Sequence, residues 1–204
     1  MAARLARRLV LAALMGAGLV AATPPAPPVV TLLEAAHRQV GVTRLYDGAY
    51  VRLAYPGGDV PADRGVCTDV VIRALRATGL DLQKAVHEDM RANFAAYPRN
   101  WGLRRPDRNI DHRRVPNLET WFRRAGHALP VTADAADYRP GDIVSWRLPG
   151  GLPHIGVVSD RKVPGADRYL VVHNIGQGAR VEDVLLAWPP VGHFRVFRAP
   201  PATR

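Results

Sequence analysis

Arg139-Pro140-Gly141-Asp142-Ile143-Val144-Ser145-Trp146, then the turn Leu148-Pro149-Gly150-Gly151-Leu152, then Pro153-His154-Ile155-Gly156-Val157-Val158-Ser159: this stretch sets the character of the last third of the chain. Both flanking runs are rich in β-branched residues and bounded by Gly, Pro and Asp, the composition of short strands. Tyr169-Leu170-Val171-Val172-His173 and His193-Phe194-Arg195-Val196-Phe197 repeat the pattern downstream. The upstream half has helical spacing instead. Val30 to Val40 places Leu32, Leu33, Ala36 and Val40 on one side. Cys67 to Ala77 stops at Gly79, Asp81 to Phe94 forms another helical stretch, and Asn117 is expected to cap a helix from Leu118 to Ala125 that Gly126 ends. Helices first and strands afterwards predict an α+β domain with a mostly antiparallel sheet.

Between these halves, Tyr97 to Asn117 is polar, aromatic and basic without a sustained period. Its aromatic content argues against disorder, so it is expected to be an ordered loop beside a site. At the N-terminus, Arg4, Arg7 and Arg8 precede the short apolar run Leu9 to Ala22, the pattern of a signal peptide over residues 1–22. A Pro-rich spacer follows at 23–29, and residues 30–200 are expected to form one domain. No repeat is visible. The location implied is periplasmic or secreted, with no membrane contact beyond the signal segment and a monomeric state.

The formal charge of +10 stays strongly positive without the three signal arginines. An exported basic protein suits anionic surfaces such as cell-wall peptides. The arginines are scattered and no aromatic-basic platform or zinc-finger spacing accompanies them, so nucleic acid is not an expected partner. No His-Glu-x-x-His or Cys-x-x-Cys spacing occurs, and neither a metal nor a cofactor is expected.

Cys67 is the single cysteine, and it opens the helical run Cys67-Thr68-Asp69-Val70-Val71-Ile72-Arg73. A helix N-terminus stabilises an anion, which predicts a lowered thiol pKa and a usable nucleophile. Such a nucleophile needs a positioned base and a group that orients it. Of the seven histidines, His154 lies at a strand end beside a Gly-rich turn, a rigid and accessible place for a base. His173 and Asn174 end the next strand. If the two strands pair, alternation of side chains lets only one of them face His154. Arg113 and Arg114, in Asp111-His112-Arg113-Arg114, either clamp substrate carboxylates or merely order the loop by pairing with Asp111.

The order of these segments resembles the papain-like superfamily, and within it the NlpC-type cell-wall cysteine peptidases and amidases. Gly65-Val66-Cys67-Thr68-Asp69-Val70-Val71 matches the nucleophile helix, Arg139 to Trp146 the strand before the base, Pro153-His154-Ile155-Gly156-Val157-Val158 the base strand, and Val171-Val172-His173-Asn174 the third-residue strand. Within that clan, the segments Val66 to Arg73, Asn109 to Asn117 and His173-Asn174-Ile175-Gly176 are similar to a bacterial family of exported domains of unknown function. The usual Asp-Cys-Ser-Gly around the nucleophile is Val66-Cys67-Thr68-Asp69 here, and the Arg- and His-rich middle loop is not part of the common pattern.

The resemblance implies a papain-like (NlpC-type) fold and a hydrolase acting on amide bonds of wall peptides, with Cys67 as nucleophile, His154 as base and His173 or Asn174 as third residue. It also implies an assisting tyrosine, for which Tyr46, Tyr50 and Tyr55 are candidates. Tyr46, Asp69, Asp111, His112, Arg113 and Arg114 make up the expected substrate-contacting set. The alternatives are a non-catalytic wall-binding domain of the same fold and an acyl or peptidyl transferase using the same thiolate.

Overall fold

The computed structural model describes residues 27–197. The signal expected over residues 1–22 and spacer residues 23–26 lie outside the described residues, while Pro28 and Val29, expected to end the extended spacer, instead open the helix Pro28–His37, where proline fits the first position. Four helices precede a five-stranded antiparallel sheet: α1 (Pro28–His37), α2 (Cys67–Arg76), α3 (Leu82–Asn93), α4 (Val115–Arg124), then β3 (Ile143–Arg147), β4 (Pro153–Lys162), β5 (Tyr169–Asn174), β6 (Ala179–Glu182) and β7 (Pro190–Phe194). The sheet order is β6-β5-β4-β3-β7. A two-residue parallel pair, β1 (Leu45–Tyr46) and β2 (Arg64–Gly65), lies just before α2.

Both sheet faces are covered, which explains why the strands read as runs of Ile and Val rather than as clean alternation. Ile143, Ile155, Val157 and Val172 face the helices and join Val70, Val71, Leu75 and Leu118 in the main core. Val144, Trp146, Val158 and Val171 face the other way, against Tyr138 and Leu185 from the connecting segments. Gly156 is required where β4 meets β5: a Cβ there would sit 2.7 Å from Val171 Cγ1 and 3.0 Å from the Val172 carbonyl oxygen.

Pro140-Gly141-Asp142 is a structural device. The buried Asp142 carboxylate accepts from the Arg139 amide at 2.8 Å, from His193 Nε2 at 2.8 Å and from Arg195 Nε at 2.6 Å. It thereby ties the start of β3 to β7, and these hydrogen bonds hold its pKa below the usual carboxylate range although burial opposes them. Two boundaries and one additional strand depart from the sequence expectation. The last helix begins at Val115 rather than after Asn117, because Pro116 fits its first turn and Asn117 turns its amide onto the Asp111 carbonyl at 3.0 Å. The last strand is Pro190–Phe194, shifted back from His193 to Phe197. The short strand β6 carries too few apolar residues to stand out by periodicity.

Candidate functional site

Cys67 is the first residue of α2. Its position is fixed from three sides. Val66 is extended, and its amide donates to Asp69 Oδ2 at 2.6 Å, so the carboxylate in the first turn closes the helix start. Gly65 makes room for this: a Cβ there would lie 2.9 Å from Asp69 Cβ. Asn174, at the end of β5, donates from Nδ2 to the Gly65 carbonyl at 3.0 Å.

Asp69 does not face solvent or substrate space. Arg113 Nε and Nη2 donate to its carboxylate at 3.0 and 2.9 Å, and both side chains are almost fully buried. The same guanidinium donates to the Ala49 and Asp47 carbonyls at 3.1 and 3.0 Å. Its donors are thus spent on stitching the segment after β1 to the helix start. This corrects the expectation for Asp69, which is thereby withdrawn from the cleft at Cys67, whereas Arg113 still borders it with most of its donors committed to the fold. His112 is likewise buried, beneath the helices, and does not line the cleft at Cys67; burial, with Arg113 and Arg76 nearby, pushes its pKa down to about 4. Asp111 is buried too, and its carboxylate accepts from Arg114 at 3.1 Å and from the Asp107 amide at 2.5 Å.

A cleft of about 420 Å³ opens over Cys67. Tyr46, Trp101, Arg114, His154 and Ile175 share its wall with Cys67. Trp101 comes from the long basic loop, which is ordered and beside the site. The Arg114 guanidinium lies over the Trp101 ring, 4.0 Å from its centroid. Only its Nη1 is engaged by Asp111, so further donors remain for a ligand.

His154 Nε2 lies 2.8 Å from His173 Nδ1, and His173 Nε2 lies 2.9 Å from Glu182 Oε2. The polarity of this series follows from its end. An ionised carboxylate only accepts, so His173 Nε2 carries the hydrogen. Burial lowers the His173 pKa, and the neutral ring then has a bare Nδ1. That nitrogen accepts from His154 Nε2–H. Burial and the neighbouring His173 push the His154 pKa down to about 3, so its ring is neutral and Nδ1 is the unprotonated nitrogen. The ring also packs against Trp146 and Trp188, with centroids 5.8 and 6.1 Å apart. Of the two candidates on β5, His173 meets His154; Asn174 points to the helix face.

The thiol departs from the sequence expectation. Burial pushes the Cys67 pKa up to about 11, and the Asp69 charge adds to this. Amide donors at Ile155 and Thr68 and the Tyr46 hydroxyl oppose the shift without overcoming it. A rise from 9.0 to about 11 corresponds to roughly 3 kcal/mol against the thiolate, whereas a helix terminus contributes only about 0.3–1 kcal/mol at an ordinary site. Desolvation wins. The Tyr46 phenol is raised to about 12, first by burial and then by Cys67. Tyr50 and Tyr55 do not line this cleft: the Tyr50 hydroxyl donates to Asp107 at 3.0 Å, and Tyr55 packs edge-on against His87.

Glu182 and Trp101 are the site residues that sequence reasoning missed. The signal for Glu182 was the Gly176-Gln177-Gly178 turn after His173: a hairpin there pairs His173 with Arg180 and brings Glu182 alongside. Among the described residues, no cluster of His, Cys, Asp or Glu has the arrangement to hold a metal ion, and no helix is long and apolar enough to cross a membrane.

The chain is 58% identical over 184 residues to the Escherichia coli (strain K12) protein named "Uncharacterized protein YijF", with 86% of this chain and 89% of the relative covered. Among solved structures, NlpC1 from Trichomonas vaginalis aligns at a TM-score of 0.40 and 14% identity, covering 80% of this chain and 43% of that one. The chain therefore spans less than half the length of that structural neighbour. A family model matches residues 33–196, and the chain belongs to this family, described as "Domain of unknown function (DUF1287)".

Proposed function

We propose that this protein is an exported, monomeric cysteine peptidase or amidase of papain-like, NlpC-type fold that cleaves amide bonds in cell-wall peptides. One observation carries the proposal: the series His154–His173–Glu182, at 2.8 and 2.9 Å, leaves an unprotonated imidazole nitrogen on a residue that shares a cleft with Cys67. Two buried imidazoles cost folding energy, and a cleft wall could be built from apolar residues alone. The order of the sequence segments, which resembles NlpC-type enzymes, supports the same assignment.

In this mechanism the resting pair is neutral thiol and neutral imidazole. His154 Nδ1 takes the Cys67 proton as the sulfur attacks the substrate carbonyl, so a free thiolate never has to exist in the dry cleft. The carbon–sulfur bond forms as the carbonyl π bond shifts its electrons to oxygen. Amide N–H groups in the first turn of α2, which lack intrahelical acceptors, stabilise that oxyanion. The protonated His154 is held by His173 and gives its proton to the leaving amine as the carbon–nitrogen bond breaks. Water, deprotonated by His154, then releases the acyl group and restores the thiol. Arg114, braced between Trp101 and Asp111, offers its remaining donors to a substrate carboxylate, a group that stem peptides carry.

The raised thiol pKa favours one second reading, a wall-binding domain in which Cys67 is a buried hydrophobe. Incubation with soluble disaccharide-peptide fragments of peptidoglycan, read by mass spectrometry, separates the two. Newly formed carboxyl and amine products, abolished by Cys67→Ala and by His154→Ala, support the hydrolase. Saturable binding by the native chain without any product supports the binding domain. Transfer of the acyl group to an added amine in place of water identifies the transferase variant.

A further inference from the structure

Among the described residues, just over half of the arginines make ion pairs. Arg64, Arg73, Arg76, Arg113, Arg124, Arg147, Arg168 and Arg195 all make carboxylate contacts. A groove on the far side of the Trp101 loop breaks this pattern. Arg52, Arg91, Arg104, Arg105 and Arg108 line it, all exposed and, among the described residues, none within ion-pair distance of a carboxylate. A single acid, Asp107, shares the wall, and its carboxylate is already engaged by the Tyr50 hydroxyl at 3.0 Å and by the Asn109 amide at 2.9 Å. Five guanidiniums against the single carboxylate of Asp107 leave an excess of positive charge that repels itself, a cost that a bound anion would lower.

The groove is built rather than incidental. Its two strands of loop are tied together: the Leu53 amide donates to Asn109 Oδ1 at 3.0 Å, and the buried Gln83 donates to the carbonyls of Ala54 and Arg108 at 2.9 and 3.1 Å. Helix α3 supplies His87 and Arg91 from a third side. The arginines therefore project from a braced frame. His87 on this wall has a lowered pKa, caused first by burial and then by Arg91 and Arg108, with Asp107 and Glu88 opposing.

We infer that this groove is a binding site for a pyrophosphate-type ligand, a phosphoryl group or ester with at least two closely spaced negative charges. A lone carboxylate would satisfy one guanidinium fork. Adjacent phosphoryl groups present several oxygens within reach of two or more forks, which suits this density of unpaired arginine. The inference does not depend on Cys67 chemistry. The same loop nevertheless forms both walls, with Trp101 at the Cys67 cleft and residues 102–109 at the groove, so an extended ligand could occupy both.

The test is titration of the whole chain with inorganic pyrophosphate by calorimetry at about 0.15 M salt, where exposed charges act only over about 8 Å. The triple variant Arg52→Gln/Arg104→Gln/Arg105→Gln is compared with Arg44→Gln/Arg139→Gln/Arg161→Gln, which removes the same charge from exposed, unpaired arginines elsewhere. Pyrophosphate affinity is expected to fall at least about 10-fold in the groove variant and less than about 2-fold in the control. Equal losses, no binding by the native chain, or citrate binding as tightly as pyrophosphate would overturn the inference. Vesicles containing phosphatidic acid, whose phosphomonoester carries up to two charges, competed with pyrophosphate, identify the source: capture that the groove variant loses assigns a lipid headgroup, and pyrophosphate binding without vesicle capture assigns a soluble phosphoryl ligand. Cys67→Ala is expected to bind pyrophosphate as the native chain does, even if no peptide is ever cleaved.

Discussion

His154 Nε2 and His173 Nδ1 meet at 2.8 Å, and the carboxylate of Glu182 on the far nitrogen of His173 decides which of the two rings donates. A tautomer chosen by a carboxylate two rings away is vulnerable to one substitution. Glu182→Gln keeps size and shape, but its amide can donate as well as accept, so the opposite order of hydrogens becomes available. The expected result is a mixture of His154 tautomers by ¹⁵N NMR and a fall of about 10-fold or more in amide hydrolysis. Unchanged His154 nitrogen shifts would show that Glu182 has no part in ordering the series.

The buried thiol gives the second prediction. With its pKa pushed up to about 11, Cys67 has almost no thiolate at neutral pH. Alkylation by iodoacetamide in the folded protein should be at least about 10-fold slower at pH 8 than in denaturant, where a free thiol titrates near ~8.5. The folded rate should keep rising up to about pH 11. Tyr46→Phe removes a hydroxyl that stabilises the sulfur anion and should move the profile to still higher pH. A folded thiol that reacts readily below pH 7 would mean that the helix terminus, not burial, governs Cys67.

Arg113 and Asp69 form the best-buried ion pair of the site, at 2.9 Å with both side chains nearly inaccessible. Removing one partner strands the other charge, which typically costs 3–5 kcal/mol, about half the stability of many small domains. Arg113→Met and Asp69→Asn should each lower the thermal midpoint strongly, by an amount set by a loss of about 3 kcal/mol or more. Arg113→Lys should rescue little, because one ammonium cannot span the Asp69 carboxylate and the carbonyls of Asp47 and Ala49 together. The double variant should be less unstable than the sum of its parts if the pair is the reason.

The helices-then-strands order was legible because each strand carries its own β-branched run and each helix its own apolar stripe. The convergence of Cys67 and His154 on one cleft follows from that order. What stayed hidden depended on burial and on distant partners. Arg113 and Arg114 are neighbours with the same side chain and both border the cleft, yet one is committed to Asp69 and two backbone carbonyls while the other lies over Trp101 with donors to spare. Nothing local distinguishes them. The pKa of Cys67 likewise turns on how much protein covers it, which the motif does not encode. Glu182 was invisible because four residues of mixed polarity, Ala179–Glu182, become a strand only by pairing with β5.

His112 and His154 should make the fold sensitive to mild acid, and the sign can be worked out. Burial lowers both, His112 to about 4 and His154 to about 3, from the ordinary value of 6.5. Between pH 6.5 and these values the unfolded chain binds protons that the folded chain refuses. Stability therefore rises with pH across that window and is lost as pH falls through it. For His112, a shift from 6.5 to about 4 corresponds to roughly 3 kcal/mol lost by pH 4. His112→Gln removes this titration without adding a charge, so its urea-unfolding free energy should fall less steeply from pH 7 to pH 4 than that of the native chain. Because His112 lies outside the cleft, the variant should also keep the native pH profile of Cys67 alkylation. Parallel stability curves for the two proteins would show that His112 is already protonated, or already hydrated, in the fold.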